Sequence, residues 1–193
     1  RGAATAVSEA PALEWHRYAD PQDWVAAYTT VDDFGPAALE VEGEIPAELF
    51  GGTLYRAGPG RFERGGVRYR HVIDGDGFVV AVRFGVAGGD RPTATGRFVR
   101  TDEFCEEEAA DRILYRTTFG TQRGGFDAWR NTFDTRLKNS ANTNAVLWGL
   151  GSEARLLALF EAGLPHRLDP EGLHTLGRET FAGELRPGTA ASL

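Results

Sequence analysis

Short apolar stretches separated by glycine-rich segments dominate the chain from residue 39 onward. The stretches are rich in β-branched and aromatic residues, and glycine pairs stand between several of them, a pattern that favours strands joined by turns. No stretch beyond residue 39 keeps a long apolar period of 3.6 residues, so the sequence predicts an all-β sandwich, barrel or propeller. The predicted strands lie at residues 39–41, 53–57, 67–73, 78–84, 93–100, 113–119, 143–149 and 155–162.

Two of the intervening segments predict hairpins. The first, Asp74-Gly75-Asp76-Gly77, joins strands 67–73 and 78–84, and its glycines permit positive φ. Its acidic spacing resembles a calcium loop, but the fifth and twelfth positions are Phe78 and Gly85, so a tight hairpin is the better interpretation. The second hairpin turns around residues 150–154, between strands 143–149 and 155–162.

The N-terminal part of the chain predicts an arm rather than a strand-rich domain. Asp20-Pro21 is a typical helix start, and residues 21–31 are expected to form a short helix. Residues 1–19 are alanine-rich without a sustained period, and an arm or disordered terminus is favoured over the remnant of a transit peptide. We therefore divide the chain into an arm, 1–38, and a β domain, 39–193.

Composition excludes several classes of function. With 21 basic and 28 acidic residues the net charge is −7, which argues against a nucleic-acid partner and a polybasic membrane anchor. Lys138 is the only lysine, and no Gly-Lys pair exists to form a P-loop. Cys105 is the only cysteine, which excludes an intramolecular disulfide and a cysteine-based zinc site. No apolar run approaches the ~18 residues that a transmembrane helix needs.

Candidate chemistry is sparse when it is judged from the residues alone. The chain has four histidines, and no two of them have the spacing of metal ligands. Besides His16, these are His166 and His174, which are interpreted as surface or turn histidines, and His71, which is interpreted as a structural, hydrogen-bonding histidine in a strand. The acidic run Cys105–Glu108 is expected to be a solvated face. No self-contained active site is visible in this pattern.

Glu161 is the most informative acidic residue, because it ends the apolar run at 156–161. Its carboxylate lies either at the exit of a strand to water or in a buried place with a hydrogen-bond donor, since an unpaired buried carboxylate is very costly. One such donor is the ring N–H of a metal-bound histidine.

Longer strings carry a more specific signal than these spacings. The segment EGEIPAELFGGTLYRAGPGRFERGGVRYRHVIDGDGFVVAVRF (42–84) resembles the N-terminal region of the carotenoid cleavage oxygenases, which typically shows G-x-IP-x-L-x-G-TLYRNGPG, then a histidine and FDGDGM. RFVRT, ILYRTTFGTQ, KNSANTNAVLWG, LLALFEAGLPHRLDP and LHTLG continue the resemblance in order. The match covers about residues 39–190 and is most similar to the apocarotenoid-cleaving branch.

The resemblance implies a fold and a reaction. The family fold is a seven-bladed β-propeller, of which this chain would be an incomplete part, the first two to three blades behind a short N-terminal helical arm. Family members hold one Fe(II) through four histidines and use O₂ to cleave a conjugated double bond into two carbonyl products. Their substrate enters an apolar tunnel from the membrane surface, so peripheral membrane contact is expected.

The resemblance also assigns residues. His71, His166 and His174 do not match ligand positions, and the segment 186–193 matches the lead-in to the first iron-binding motif, so all four ligands are expected beyond Leu193. Glu161 matches a glutamate that accepts a hydrogen bond from an iron-ligating histidine. Thr143 matches a residue beside the vacant coordination position of the iron.

A departure from the family pattern falls in the GPG segment. Ala57 stands where the family has asparagine, and the loss of that hydrogen-bonding side chain is expected to loosen the turn.

Three hypotheses follow. In the first, the chain is the N-terminal portion of a carotenoid or apocarotenoid cleavage dioxygenase and is inactive alone, without stoichiometric iron. Its first residue is Arg1 and it has no methionine, which is expected of a processed or incomplete chain. Alternatively, it is a truncated, non-catalytic propeller fragment, or part of an enzyme of the same fold that acts on stilbene-type or retinoid substrates. The expected location is a plastid for an algal source and the cytoplasm otherwise.

Overall fold

The computed structural model describes residues 21–186 apart from Ala87, Asp90, Thr135 and Leu150. The predicted arm at 1–19 and most of the segment 186–193 lie outside the described residues. The elements in the described part are the helices α1 (Pro21–Ala27) and α2 (Asp102–Ala110) and the strands β1 (Phe34–Ala38), β2 (Thr53–Arg61), β3 (Glu63–Arg64), β4 (Val67–Arg68), β5 (Asp76–Arg83), β6 (Thr93–Phe98), β7 (Asn144–Trp148), β8 (Arg155–Leu159), β9 (His166–Leu168) and β10 (Thr175–Arg178). The expectation of a mostly β chain with few helices is confirmed.

The strands form two four-stranded antiparallel sheets. The first sheet has the order β1-β6-β5-β2 and the second the order β10-β9-β8-β7, while β3 and β4 make a separate short pair. The predicted hairpin around residues 150–154 is confirmed, because β7 and β8 pair from Asn144 with Leu159 to Trp148 with Arg155. Strand predictions at 53–57, 78–84, 93–100, 143–149 and 155–162 are confirmed by β2, β5, β6, β7 and β8.

The main apolar core includes residues from a central strand of each sheet, β5 and β8. Val79 and Ala81 of β5 pack in one buried cluster with Leu156 and Ala158 of β8. Ala57 lies within β2, opposite Val79, and packs against this cluster. The expectation that Ala57 loosens a turn is therefore wrong, because a small apolar side chain at this place in a strand fits the core without needing a partner.

Two strand predictions at the sheet edges and loops are wrong. Residues 39–41 are not a strand; the edge strand is instead β1 at Phe34–Ala38, inside the predicted arm, where it pairs with β6. Its proline, Pro36, is compatible with an edge strand because the missing N–H is not needed there. Residues 113–119 also form no strand and contribute only an isolated bridge between Arg116 and Leu137.

The predicted hairpin at Asp74–Gly77 is wrong as well. Only Val67–Arg68 of the segment 67–73 is a strand, and it pairs with β3, whereas β5 pairs with β2 and β6. A short 3₁₀ helix at Val72–Asp74 leads into β5. The reason is that both carboxylates of the loop are buried: Asp74 accepts hydrogen bonds from Thr121 and from the backbone N–H of Phe119, which pulls the loop inward.

Candidate functional site

The segment that links the two sheets is polar in sequence but buried in the structure. We call residues 138–143 the connector; its first five residues, Lys138 to Asn142, are all buried. The backbone N–H of Gly77 donates to the carbonyl oxygen of Ser140 at 2.7 Å. A side chain at position 77 would collide with the carbonyl of Ala141, so glycine allows the connector to lie directly on β5.

Asparagine side chains hold the connector in place. Asn142 Nδ2 donates to the carbonyl oxygens of Ile73 and Gly75, at 2.8 and 2.7 Å. Asn139 Nδ2 donates to Leu164 O at 2.9 Å, and its Oδ1 accepts from the N–H of Ala141. These bonds give hydrogen-bond partners to backbone groups of the connector and of the segments that pack against it. Sequence reasoning missed both asparagines, and the available signal was a run of polar residues directly before an apolar strand.

The connector ends at Thr143, which contacts Glu161, the other residue that the resemblance assigned. The N–H of Thr143 donates to Leu159 O at 3.1 Å, at the point where β7 begins beside β8. Thr143 Oγ1 donates to Glu161 Oε2 at 2.8 Å. Thr143 is exposed and Glu161 half-buried, two residues beyond the end of β8. The structure thus brings the two predicted site residues into direct contact, which the sequence did not predict.

The second carboxylate oxygen of Glu161 remains open to a donor. Among the described residues, Glu161 Oε1 accepts no hydrogen bond, while Oε2 is occupied by Thr143. A carboxylate accepts hydrogen bonds at both oxygens, and an oriented carboxylate can hold a donor such as an imidazole N–H in one position. The pair is therefore chemically suited to orienting a neighbouring group.

A cluster of buried charges anchors the other end of the connector. Lys138 Nζ lies 2.6 Å from Asp76 Oδ1 and 2.6 Å from Glu107 Oε2. Arg64 lies 3.0 Å from Asp76 and 3.2 Å from Glu107, and the single Tyr69 hydroxyl lies between the two carboxylates, 3.1 Å from Asp76 Oδ2 and 3.3 Å from Glu107 Oε2. Burial alone would lower the pKa of Lys138, but Asp76, Tyr69 and Glu107 outweigh it and raise that pKa above its ordinary value.

The position of Glu107 corrects the prediction for the acidic run. Residues 105–108 lie in α2, where Cys105, Glu106 and Glu108 are exposed as predicted, but Glu107 is fully buried rather than solvated. Besides Lys138 and Arg64, it accepts hydrogen bonds from the N–H groups of Leu114 and Tyr115. Thr101 caps the N-terminus of α2, because its Oγ1 accepts a hydrogen bond from the N–H of Phe104 at 3.0 Å.

The histidines differ from one another. His174 is exposed, as predicted, and His71 caps the 3₁₀ helix at 72–74 by accepting from the N–H of Ile73, which confirms a structural hydrogen-bonding role outside a strand. His166 is only 2% exposed in β9, so its prediction as a surface or turn residue is wrong. Burial, followed by the charge of Arg178, lowers the pKa of His166 to about 4 and keeps it neutral. His16 lies outside the described residues.

In the described part of the chain, no three side chains of histidine, cysteine, aspartate or glutamate are arranged to hold a metal ion. In the same residues, no helix combines the length and apolar character that crossing a bilayer requires.

Comparison with solved structures identifies the architecture. A cobalt-substituted apocarotenoid oxygenase from Synechocystis superimposes with a TM-score of 0.79 at 44% identity, over 90% of this chain and 35% of that chain. The two sheets and their connector are therefore those of an oxygenase-type β fold. The profile of the family named retinal pigment epithelial membrane protein matches residues 28–192, and the chain belongs to that family, which confirms the resemblance to the carotenoid oxygenases.

Three curated relatives extend the comparison. The apocarotenoid-15,15'-oxygenase of Synechocystis is 44% identical over 174 residues, 89% of this chain and 34% of that protein. The chloroplastic carotenoid cleavage dioxygenase 7 of rice is 37% identical over 140 residues, with 70% and 22% coverage. Resveratrol cleavage oxygenase 1 of Chaetomium globosum is 39% identical over 159 residues, with 81% and 23% coverage. The chain thus spans about a quarter to a third of the length of these relatives.

Proposed function

We propose that this chain is the N-terminal portion of a non-haem Fe(II) dioxygenase that uses O₂ to cleave a conjugated double bond of carotenoids or apocarotenoids. The observation that carries the proposal is the likeness to the Synechocystis apocarotenoid oxygenase, at 44% identity and a TM-score of 0.79. The relatives named as carotenoid and apocarotenoid oxygenases support the same general reaction.

Within that enzyme, the two sheets would be neighbouring blades of a seven-bladed propeller. Each is a four-stranded antiparallel sheet, and β2 of the first lies against β7 of the second. Both are edge strands in the described part of the chain, as expected of the innermost strands of blades that surround a central axis. Thr143 and Glu161 sit at one end of this inner edge, the place where a metal on the axis would be approached.

The described residues of this chain contain no ligand set for the iron, so their contribution is to position groups. When bound in the complete enzyme, Fe(II) supplies the oxygen chemistry. Glu161 Oε1 would accept the ring N–H of a ligating histidine from a later part of the protein and fix the orientation of its imidazole. Thr143 would hold Glu161 through its 2.8 Å hydrogen bond and would line the position left open for O₂.

The test is to express the complete enzyme and to measure iron per polypeptide, O₂ consumption and the carbonyl products from an apocarotenal. Glu161→Gln is expected to lower iron retention or turnover by about 10- to 100-fold, the usual effect of removing such an outer partner. Glu184→Gln is the matched control, because Glu184 is exposed in a turn. Full activity of the Glu161 variant, or equimolar iron in the 193-residue chain alone, would contradict these assignments.

A second substrate class is favoured by one comparison. The resveratrol cleavage oxygenase, a relative at 39% identity, is named for a stilbene substrate. The same assay with resveratrol in place of the apocarotenal separates the two classes. Cleavage of resveratrol alone would keep the reaction type and replace the substrate, whereas cleavage of neither compound would reject the proposed function.

Peripheral membrane contact is proposed for the same enzyme. The 3₁₀ helix at Gly125–Thr132 carries Phe126, 95% exposed, and Trp129, 58% exposed, and Phe133 beyond its end is 79% exposed. Exposed aromatic residues on one short helix suit the interface of a lipid bilayer. Phe126→Ser with Phe133→Ser is expected to weaken sedimentation with phosphatidylcholine vesicles. Val86→Ser, another exposed apolar position, is the control, and equal binding of all forms would contradict this role.

A plastid location is proposed only for an algal source.

A further inference from the structure

We propose that Asn142 is a positioning residue that sets the place of the Thr143 hydroxyl in the site. The inference rests on the proposed function, because it concerns how the Thr143–Glu161 pair is placed relative to the open coordination position of the iron. It assigns a role to a residue that touches neither Glu161 nor any reacting group and acts only through Thr143.

The amide of Asn142 is a two-point clamp. Its Nδ2 donates one hydrogen to Ile73 O at 2.8 Å and the other to Gly75 O at 2.7 Å, and the residue is only 6% exposed. Both carbonyls belong to the loop that leads into β5 of the first sheet. The clamp therefore fixes Asn142 to the loop before β5 of the first sheet, whereas the next residue, Thr143, bonds to β8 of the second sheet.

The backbone on either side of Asn142 needs such a clamp. Ala141 has a φ of +46°, in the left-handed region that residues with a Cβ adopt only when their surroundings impose it. On the other side, Thr143 is tied to Leu159 O by its N–H. If the clamp is lost, the connector can relax toward ordinary φ values, and this would rotate Thr143 relative to Glu161.

The chemistry of the clamp is specific to an amide. Asparagine offers two N–H donors on one nitrogen, whereas an ionised aspartate of the same shape offers none and would face two carbonyl oxygens. Alanine would leave both carbonyls without this donor. Serine could serve one of them, so it provides a milder variant if the alanine variant does not fold.

The first test does not depend on activity. In metal-free complete protein labelled at threonine methyl groups, the Thr143 resonance is assigned by its disappearance in Thr143→Val. Asn142→Ala, or Asn142→Ser, is expected to shift the Thr143 resonance. Asn131→Ala is the matched control, because Asn131 Nδ2 also donates to a backbone carbonyl, that of Arg123 at 2.9 Å, in a different element. An unchanged Thr143 resonance in a folded Asn142 variant would overturn the proposal.

The second test is a double-mutant cycle in the active enzyme. Asn142→Ala is expected to raise the KM for O₂ about fivefold, the factor that a lost hydrogen bond typically gives, with the KM for the carotenoid unchanged. In a Thr143→Ala background the same change is expected to have no further effect on the KM for O₂, because the two residues act as a unit. Additive effects, or a uniform loss of active enzyme, would mean that Asn142 has only a structural role. Lack of turnover in the unaltered enzyme would instead reject the proposed function and leave the resonance test to decide the clamp.

Discussion

At the scale of single residues, the buried charges are balanced by contact rather than by water. Asp76 and Glu107 face Lys138 and Arg64 in one cluster, and each carboxylate lies within 3.2 Å of both cations. The attraction between opposite charges is strong in such surroundings, but so is the cost of leaving one of them alone. The cluster joins β3, β5, α2 and the connector. It therefore anchors the first residue of the segment that ends at Thr143.

Removing the lysine should expose this dependence. Lys138→Met leaves two carboxylates facing one arginine, and we expect the free energy of unfolding to fall by about 3–5 kcal/mol. Urea denaturation at neutral pH measures the change. Arg112→Met is the control, since Arg112 pairs with Asp127 while more than half exposed, and its loss should cost less than about 1 kcal/mol. Equal stability of the Lys138 variant and the unaltered protein would show that the cluster does not stabilise the fold.

His166 predicts a dependence of stability on pH. Its pKa in the folded chain is about 4, below the ordinary value of 6.5, because the buried ring resists protonation. As the pH falls from about 6.5 toward 4, the unfolded chain takes up a proton that the folded chain does not. The stabilisation that neutral His166 contributes is therefore fully present above pH 6.5 and is lost as the pH falls toward 4. For this one group the free energy of unfolding should fall by about 3 kcal/mol in total.

Urea unfolding at several pH values between 4.5 and 7 checks this expectation. His166→Gln should flatten the dependence over the window, whatever it does to stability at pH 7. His174→Gln is the control, because it replaces an exposed histidine and leaves His166 in place, and it should keep the slope that His166 causes. A slope that is the same in all three proteins would assign the pH dependence to other groups.

At the scale of elements, the connector depends on one close approach to β5. A Cβ at Gly77 would meet the backbone of Ser140 and Ala141, which cannot move without breaking the hydrogen bond from Gly77 to Ser140. We expect Gly77→Ala to cost at least about 2 kcal/mol of unfolding free energy. Gly58→Ala is the control in the neighbouring strand, because a Cβ there meets nothing within 4 Å. Similar unfolding midpoints of the two variants in urea would contradict this account.

The elements that could be predicted from sequence were those with a local signal. β5 and β8 carry continuous apolar runs, and the turn between β7 and β8 lies between two such runs, so periodicity was enough to find them. Helix α2 and the loop at 72–77 could not be found in this way, because Glu107, Asp74 and Asp76 are charged residues whose burial depends on partners distant in sequence. The same holds for the site: Glu161 was found at the end of an apolar run and Thr143 from family resemblance, while their mutual contact and the Asn142 clamp are tertiary.

At the scale of the whole molecule, the two sheets are joined by side chains as well as by the connector. Arg83 of β5 donates to the carbonyls of Pro170 and Glu171, at 2.7 and 2.6 Å, in the turn between β9 and β10. Arg97 of β6 donates to Gly172 O in the same turn, at 3.1 Å. The arginines of the first sheet thus bind a turn of the second sheet, and the two sheets are joined by these hydrogen bonds as well as by the apolar core.

The β7 edge of the second sheet is not covered in this way, and its exposure predicts self-association of the 193-residue chain. β7 ends its sheet in the described part of the chain, and its Leu147 and Trp148 are each about half exposed. Open backbone groups beside exposed apolar side chains pair readily with other chains. In sedimentation velocity runs, the average sedimentation coefficient should therefore rise with protein concentration.

Introducing charge on that edge tests the cause. Leu147→Lys with Trp148→Lys should shift the chain toward monomer, because lysines on an edge strand oppose pairing with a second edge. Val25→Lys is the control, since Val25 is an exposed apolar residue on helix α1 and not on β7. If the unaltered chain stays monomeric at every concentration, the inner edge is closed by some contact of its own. If both variants reduce association equally, general solubility rather than the β7 edge controls it, and the proposed exposure of that edge loses this support.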